Sequence, residues 1–196
     1  MVFAIVRGRQ LMQNGVMADD QVELDWDTAL RALLRLYDLV DRQVRALYGV
    51  HKGRLRCTKG CNSCCRDGLT VFELEARNIR RNHPDLLKTG SPHPVGKCAF
   101  LDEEGSCRIY PSRPYVCRTE GLPLRWIDQM PDGRPVEMRD ICPLNDDGPA
   151  IETMDLNHCW TIGPVEEALA ELEAHCDGGQ LRRVGLRDLF AKQDLE

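Results

Sequence analysis

Seven of the ten cysteines in this chain lie between Cys57 and Cys117, and four of them open that block as Cys57-x-x-x-Cys61-x-x-Cys64-Cys65. Thiols at this density oxidise, cross-link and scavenge metals. Such a segment has few stable outcomes: its sulfurs either pair with one another or converge on metal. Thiolates are good ligands for zinc and for iron–sulfur clusters, and close spacing lets one short loop supply several ligands at little entropic cost. Compartment decides between the two outcomes. No apolar run approaches the ~20 residues that span a bilayer, and the opening Met-Val-Phe-Ala-Ile-Val-Arg is too short for a signal-peptide core and has no basic region before it. A cytoplasmic location is therefore expected. In that reducing setting ten cysteines point to metal or redox chemistry rather than disulfides; export would reverse the inference.

The chain has 196 residues, 42% hydrophobic and 29% charged, which suits one soluble domain with arms. Its net charge of −5 gives no basic footprint for nucleic acid, so neither nucleic acid nor membrane is expected as a partner. The charge is uneven. Residues 51–70 carry Lys52, Arg54, Arg56, Lys59 and Arg66 against Asp67 alone, whereas 165–177 is acidic, with no Lys or Arg.

The periodicity predicts a long helix over about 25–50, with Asp25 as N-cap and Trp26, Leu30, Leu33, Tyr37, Val40, Val44 and Leu47 on one stripe. Thr70-Val-Phe-Glu73 reads as a capping box opening a second helix over about 71–83, ended by His83-Pro84. Residues 98–110 read as a hairpin around a four-residue turn at 102–105, which pairs Phe100 with Cys107 and puts Cys98 and Cys107 on one face; a one-residue slip would separate them. Residues 111–118 form a tight turn or single helical turn. Residues 124–128 and 136–139 flank a second hairpin turn, and a last helix runs from Pro164 to about Cys176. The expected fold is α+β, a helical framework around a loop-rich, metal-organised centre with one or two short hairpins. Residues 1–20 read as a flexible arm and 21–196 as a single metal-binding domain whose cysteine core is 54–143.

Within that core, Cys57/Cys61 and Cys61/Cys64 each have zinc-ligand spacing. The Cys64-Cys65 doublet fits one ion poorly, because neighbouring side chains diverge. It suggests one loop feeding two centres, or a cluster whose irons sit on separate corners. Cys98, Cys107, Cys117 and Cys142 bring the candidate ligands to eight. A four-thiolate centre carries a net charge of about −2, which Arg56, Arg66, Arg108 and Arg118, with Lys59 and Lys97, are placed to offset.

The run Cys-x-x-x-Cys-x-x-Cys-Cys-Arg, a following helix with an early Glu73, then Cys98-x-Phe-Leu and Gly-x-Cys107-x-Ile-Tyr-Pro-x-Arg-Pro-x-x-Cys117-Arg together resemble the YkgJ-type cysteine-cluster family, known for its CxxCxxCC signature. The resemblance spans about Arg56 to Pro143. It departs in the first gap, which holds three residues instead of two. It implies zinc or iron chelation and says little about a reaction. A related cysteine block in a flagellin lysine methylase looks like an iron–sulfur site, which tilts the metal toward iron and favours a 4Fe–4S cluster over zinc.

Outside the block, Cys176 reads as an inert thiol on an apolar stripe, while Cys159 can be read as ligand or structural thiol. Glu73 reads as a capping residue, and Arg113 and Arg118 as partners of sulfur or carboxylate. Three functions stay open: a metal-centre protein with a structural, redox or accessory role; an iron–sulfur enzyme or electron relay; and a thiol redox sensor. No catalytic triad, phosphate loop or nucleotide fingerprint is present, which weighs against a self-contained conventional enzyme.

Overall fold

The computed structural model describes residues 24–190; the expected arm at 1–20 lies outside them. The fold is mixed α+β, with five α-helices and two small sheets among the described residues. Helix α1, Trp26–Val50, forms where the stripe predicts it, and Asp25 caps it by accepting a hydrogen bond from the Thr28 N–H at 2.9 Å. Leu30, Leu33, Tyr37, Val40, Val44 and Leu47 are buried along its inner face. Against that face pack α2 (Glu73–Asn82), α4 (Tyr115–Thr119) and α5 (Pro164–Asp177), enclosing a first core of Leu33, Tyr37, Val40, Leu74, Leu122 and Leu169.

A second core gathers Val71, Ala76, Ile79, Phe100, Ile109 and Leu186. Here the expected capping box gives way. Thr70–Phe72 is a strand, β1, paired antiparallel with β5 (Arg183–Gly185) through Val71↔Val184. Helix α2 consequently starts at Glu73, and Glu75 rather than Glu73 reaches back to the Phe72 N–H, at 3.4 Å. Glu73 instead pairs with Arg77 and Arg80, at 3.0 and 2.9 Å. After His83 the chain makes a further short helix, α3 (Pro84–Thr89), beyond the stop expected at Pro84.

The hairpin expected at 98–110 is also corrected. Its one bridge joins Leu101 to Cys107, one residue out of the expected register, and the Asp102 N–H donates to Ser106 across a longer turn. The second hairpin forms as β2 (Leu124–Gln129) and β3 (Pro135–Asp140), with Trp126 opposite Met138. The sequence reading did not find β4 (Trp160–Thr161), a parallel partner of β2. No helix among the described residues is long and apolar enough to cross a membrane.

Candidate metal centre

Between the two cores, against the C-terminal half of α1, lies a cavity of about 840 Å³. Seven thiols line it: Cys57, Cys61, Cys64, Cys65, Cys98, Cys107 and Cys117. Asp41, Arg45 and Tyr48 of α1 also line it, with Tyr110 from the end of the expected hairpin and Arg113 and Glu120 from beyond it.

Each thiol is placed by a local reason. The segment carrying Cys57 is anchored by Arg54, which donates to the carbonyls of Asn145 (2.6 Å) and Pro149 (2.9 Å) and to the Asp146 carboxylate (3.2 Å). Two tight turns follow, Cys61 N–H to the Thr58 carbonyl and Cys65 N–H to the Asn62 carbonyl, both 3.0 Å. Gly60, at φ +84°, absorbs the extra residue of the first gap in a backbone region that side chains disfavour. The Cys98 N–H then donates to the Cys65 carbonyl at 3.1 Å, tying the second segment to the first.

Cys117 sits on α4, a helix of five residues and too short to be stable alone. Two buried groups hold it. The Glu75 carboxylate, 4% exposed, accepts from the Tyr115 N–H (2.8 Å) and the Tyr37 hydroxyl (2.7 Å), joining α4, α1 and α2. Arg118, 5% exposed, donates to Asp41 at 2.6 Å and stacks 3.9 Å from the centre of the Tyr37 ring. On the far side Asp67 accepts from Arg187 (2.9 Å) and the Gly96 N–H (3.0 Å), while Arg187 also donates to the carbonyls of His93, Pro94 and Lys97, bracing the loop before Cys98.

Withdrawal from water pushes the Cys98, Cys107 and Cys117 thiols up, and the neighbouring Cys98 and Cys107 add to the effect at Cys117. Cys64 and Cys65 are adjacent and act on each other's ionisation. Their mutual interaction favours the neutral form of Cys65 and draws Cys64 down to about 7. Cys65 and Cys107 pack against the second core, of which Cys98 is a buried member. The sulfurs ring the cavity rather than meeting at a point. Among the described residues, no group of three or more His, Cys, Asp or Glu side chains is gathered tightly enough to hold one ion as it stands. As a donor set the seven thiols suit zinc or iron, both of which take thiolate sulfur.

The remaining expected residues are distributed as follows. Cys142 lies outside the cavity, its sulfur 3.8 Å from the Ser63 hydroxyl. Arg66 is near enough to favour ionisation of Cys64 and Glu120. Arg56 is exposed and pairs with Asp147 at 3.6 Å. Arg108 donates to the Ser91 and Ala99 carbonyls at 2.8 and 2.7 Å, and Arg118 is engaged with Asp41 and Tyr37 as described. Cys159 is buried beside Arg139 and Arg125, away from the cavity lining, and the Cys176 thiol donates to the Leu172 carbonyl at 3.2 Å. Sequence reasoning missed Tyr48, Glu120, Asn145 and the Asp67–Arg187 pair. Tyr48 alone carried a signal, standing one helical turn beyond Val44.

No curated protein and no solved structure matches the chain. Residues 56–141, the segment that contains every thiol of the cavity, match the family model described as "CxxCxxCC: Putative zinc- or iron-chelating domain".

Proposed function

We propose that residues 21–196 act as a single metal-binding unit, with core 54–143, that holds an iron–sulfur centre through cysteine thiolates and serves a structural, redox or accessory role. The observation that carries this reading is the convergence of seven thiols, from chain segments as far apart as Cys57 and Cys117, on one cavity. Cys65, Cys98, Cys107 and Cys117 are its inner donors. Cys57, Cys61 and Cys64, with Cys142 at their edge, form the outer set.

The adjacent Cys64-Cys65 doublet favours a cluster over a lone ion, because neighbouring side chains diverge. Four sulfurs around one zinc stand about 3.8 Å apart, given Zn–S bonds of ~2.3 Å. The ligands of a 4Fe–4S cluster sit on separate irons and are spaced more widely. When bound, such a cluster supplies one-electron chemistry. The chain would hold it in place, keep water from it with Phe100, Ile109 and Leu186, and set the charge around it through Arg66 and Arg113.

Protein purified anaerobically from its native source should contain iron and acid-labile sulfide and absorb near ~400 nm. Serine in place of any inner cysteine should abolish that absorbance. Colourless protein with stoichiometric zinc would replace the cluster by zinc, and protein carrying no metal would overturn the reading. The adjacent, partly exposed Cys64–Cys65 pair, with Cys64 drawn to about 7, supports a second reading as a thiol redox sensor. On that reading chelation leaves the fold intact, and mild oxidation modifies Cys64 first.

A further inference from the structure

Asn145 is completely buried, and it lies beyond the segment that matches the family. Its carboxamide oxygen accepts from the Arg56 N–H at 2.8 Å. Its amide nitrogen donates one hydrogen to the Gly121 carbonyl at 2.8 Å and faces the Cys57 sulfur with the other at 3.3 Å. Rotating the amide by half a turn would set oxygen against the Gly121 carbonyl and nitrogen against the Arg56 N–H, so the orientation follows from its partners. The Asn145 carbonyl in turn accepts from Arg54 at 2.6 Å, which holds the side chain's own backbone still.

The space around Cys57 is shaped to the same end. Gly121 has φ +92°, and a Cβ there would stand 2.6 Å from the Cys57 sulfur and 3.3 Å from the Asn145 amide nitrogen. Tyr48 of α1 lines the same cavity. Cys57 is thus a cavity thiol met by an amide N–H, with a glycine leaving it room.

We propose that Asn145 is a positioning residue for the metal centre: it fixes the Cys57 sulfur and donates an N–H to it, so that Cys57 binds metal as a hydrogen-bonded thiolate. The proposal rests on the metal-binding reading above. An N–H directed at a ligand sulfur orients the ligand and disperses its negative charge, and loss of such a partner commonly lowers metal affinity about ten- to a hundredfold.

The test is a double-mutant cycle on the full chain, with zinc as probe and a chromophoric chelator as competitor. Asn145→Asp keeps the size and the oxygen that serves Arg56 but removes both donors. It should weaken zinc about ten- to a hundredfold in the wild-type background and have no further effect beside Cys57→Ser. Equal losses in both backgrounds would overturn the proposal, as would wild-type zinc affinity in Cys57→Ser. Wild-type protein that binds no zinc, cadmium or iron would instead bring down the metal reading itself. A measurement on the unmutated chain covers the case in which Asn145→Asp does not fold. In protein loaded with cadmium-113, the Asn145 side-chain amide protons should couple to the metal through the N–H···S bond. Absence of that coupling, with Cys57 shown to ligate cadmium, would likewise overturn the proposal.

Discussion

Gly121 shows how closely the thiol cavity is fitted at single positions. Alanine there meets the Cys57 sulfur at 2.6 Å in a backbone region that side chains rarely adopt. Gly121→Ala should cost about 1–3 kcal/mol of stability in denaturant titrations and reduce metal content measured by elemental analysis. Asp67 supplies a pH-dependent contact. Its hydrogen bonds from Arg187 and the Gly96 N–H hold its carboxyl down to about 2, below the ordinary 3.8. A lowered folded-state pKa contributes stability that is complete above the unfolded value and disappears as pH falls through the folded one. Acid unfolding followed by circular dichroism should therefore lose a component between pH 3.8 and about 2 that is missing in Asp67→Asn. The cysteines were legible in the sequence because type and spacing alone mark them. Asn145 and Arg187 were not, since they meet Cys57 and Asp67 across 88 and 120 residues.

The short helix α4 depends on its neighbours more than on its own sequence. Glu75→Ala would leave the Tyr37 hydroxyl and the Tyr115 N–H buried without their acceptor. That should remove about 2–4 kcal/mol, read as a shift in the unfolding midpoint. Glu75→Gln keeps an acceptor and should lose less, because burial already raises this carboxyl's pKa and disfavours its charge. Helices α1 and α5 were readable from apolar periodicity and from Asp25 and Pro164 at their starts. The 98–110 hairpin was not. The sequence suggested strand pairing, but the Leu101 N–H turns back onto the Cys98 carbonyl, so Cys98 lies outside the paired ladder. Cys98 and Cys107 reach the same cavity despite the shifted register, because a turn rather than strand alternation aims Cys98. Strand β1 displaced the expected capping box for a related reason: its partner β5 lies more than a hundred residues away.

Folding and metal binding should be coupled across the entire chain. Loss of water favours the neutral form of Cys98, Cys107 and Cys117, so a metal bound by them would displace their protons. Apparent affinity should rise with pH and fall on acidification, and calorimetry in buffers of different ionisation enthalpy should register proton release on zinc uptake. Titration without proton release would contradict thiolate ligation. Chelation should loosen residues 54–69 and 96–120 first, seen as faster amide exchange there than in α1. The amino-acid order alone established the α+β class, the long first helix and the cysteine pattern that residues 56–141 share with the matching family model, because periodicity and residue spacing are local properties. Which thiols share a cavity, that Cys142 stands outside it, and that Arg108 and Arg118 bond to carbonyls and a carboxylate instead of sulfur were settled by folding. Those outcomes depend on contacts between distant segments, where burial and unmet hydrogen-bonding groups select one arrangement from many that the local pattern allows.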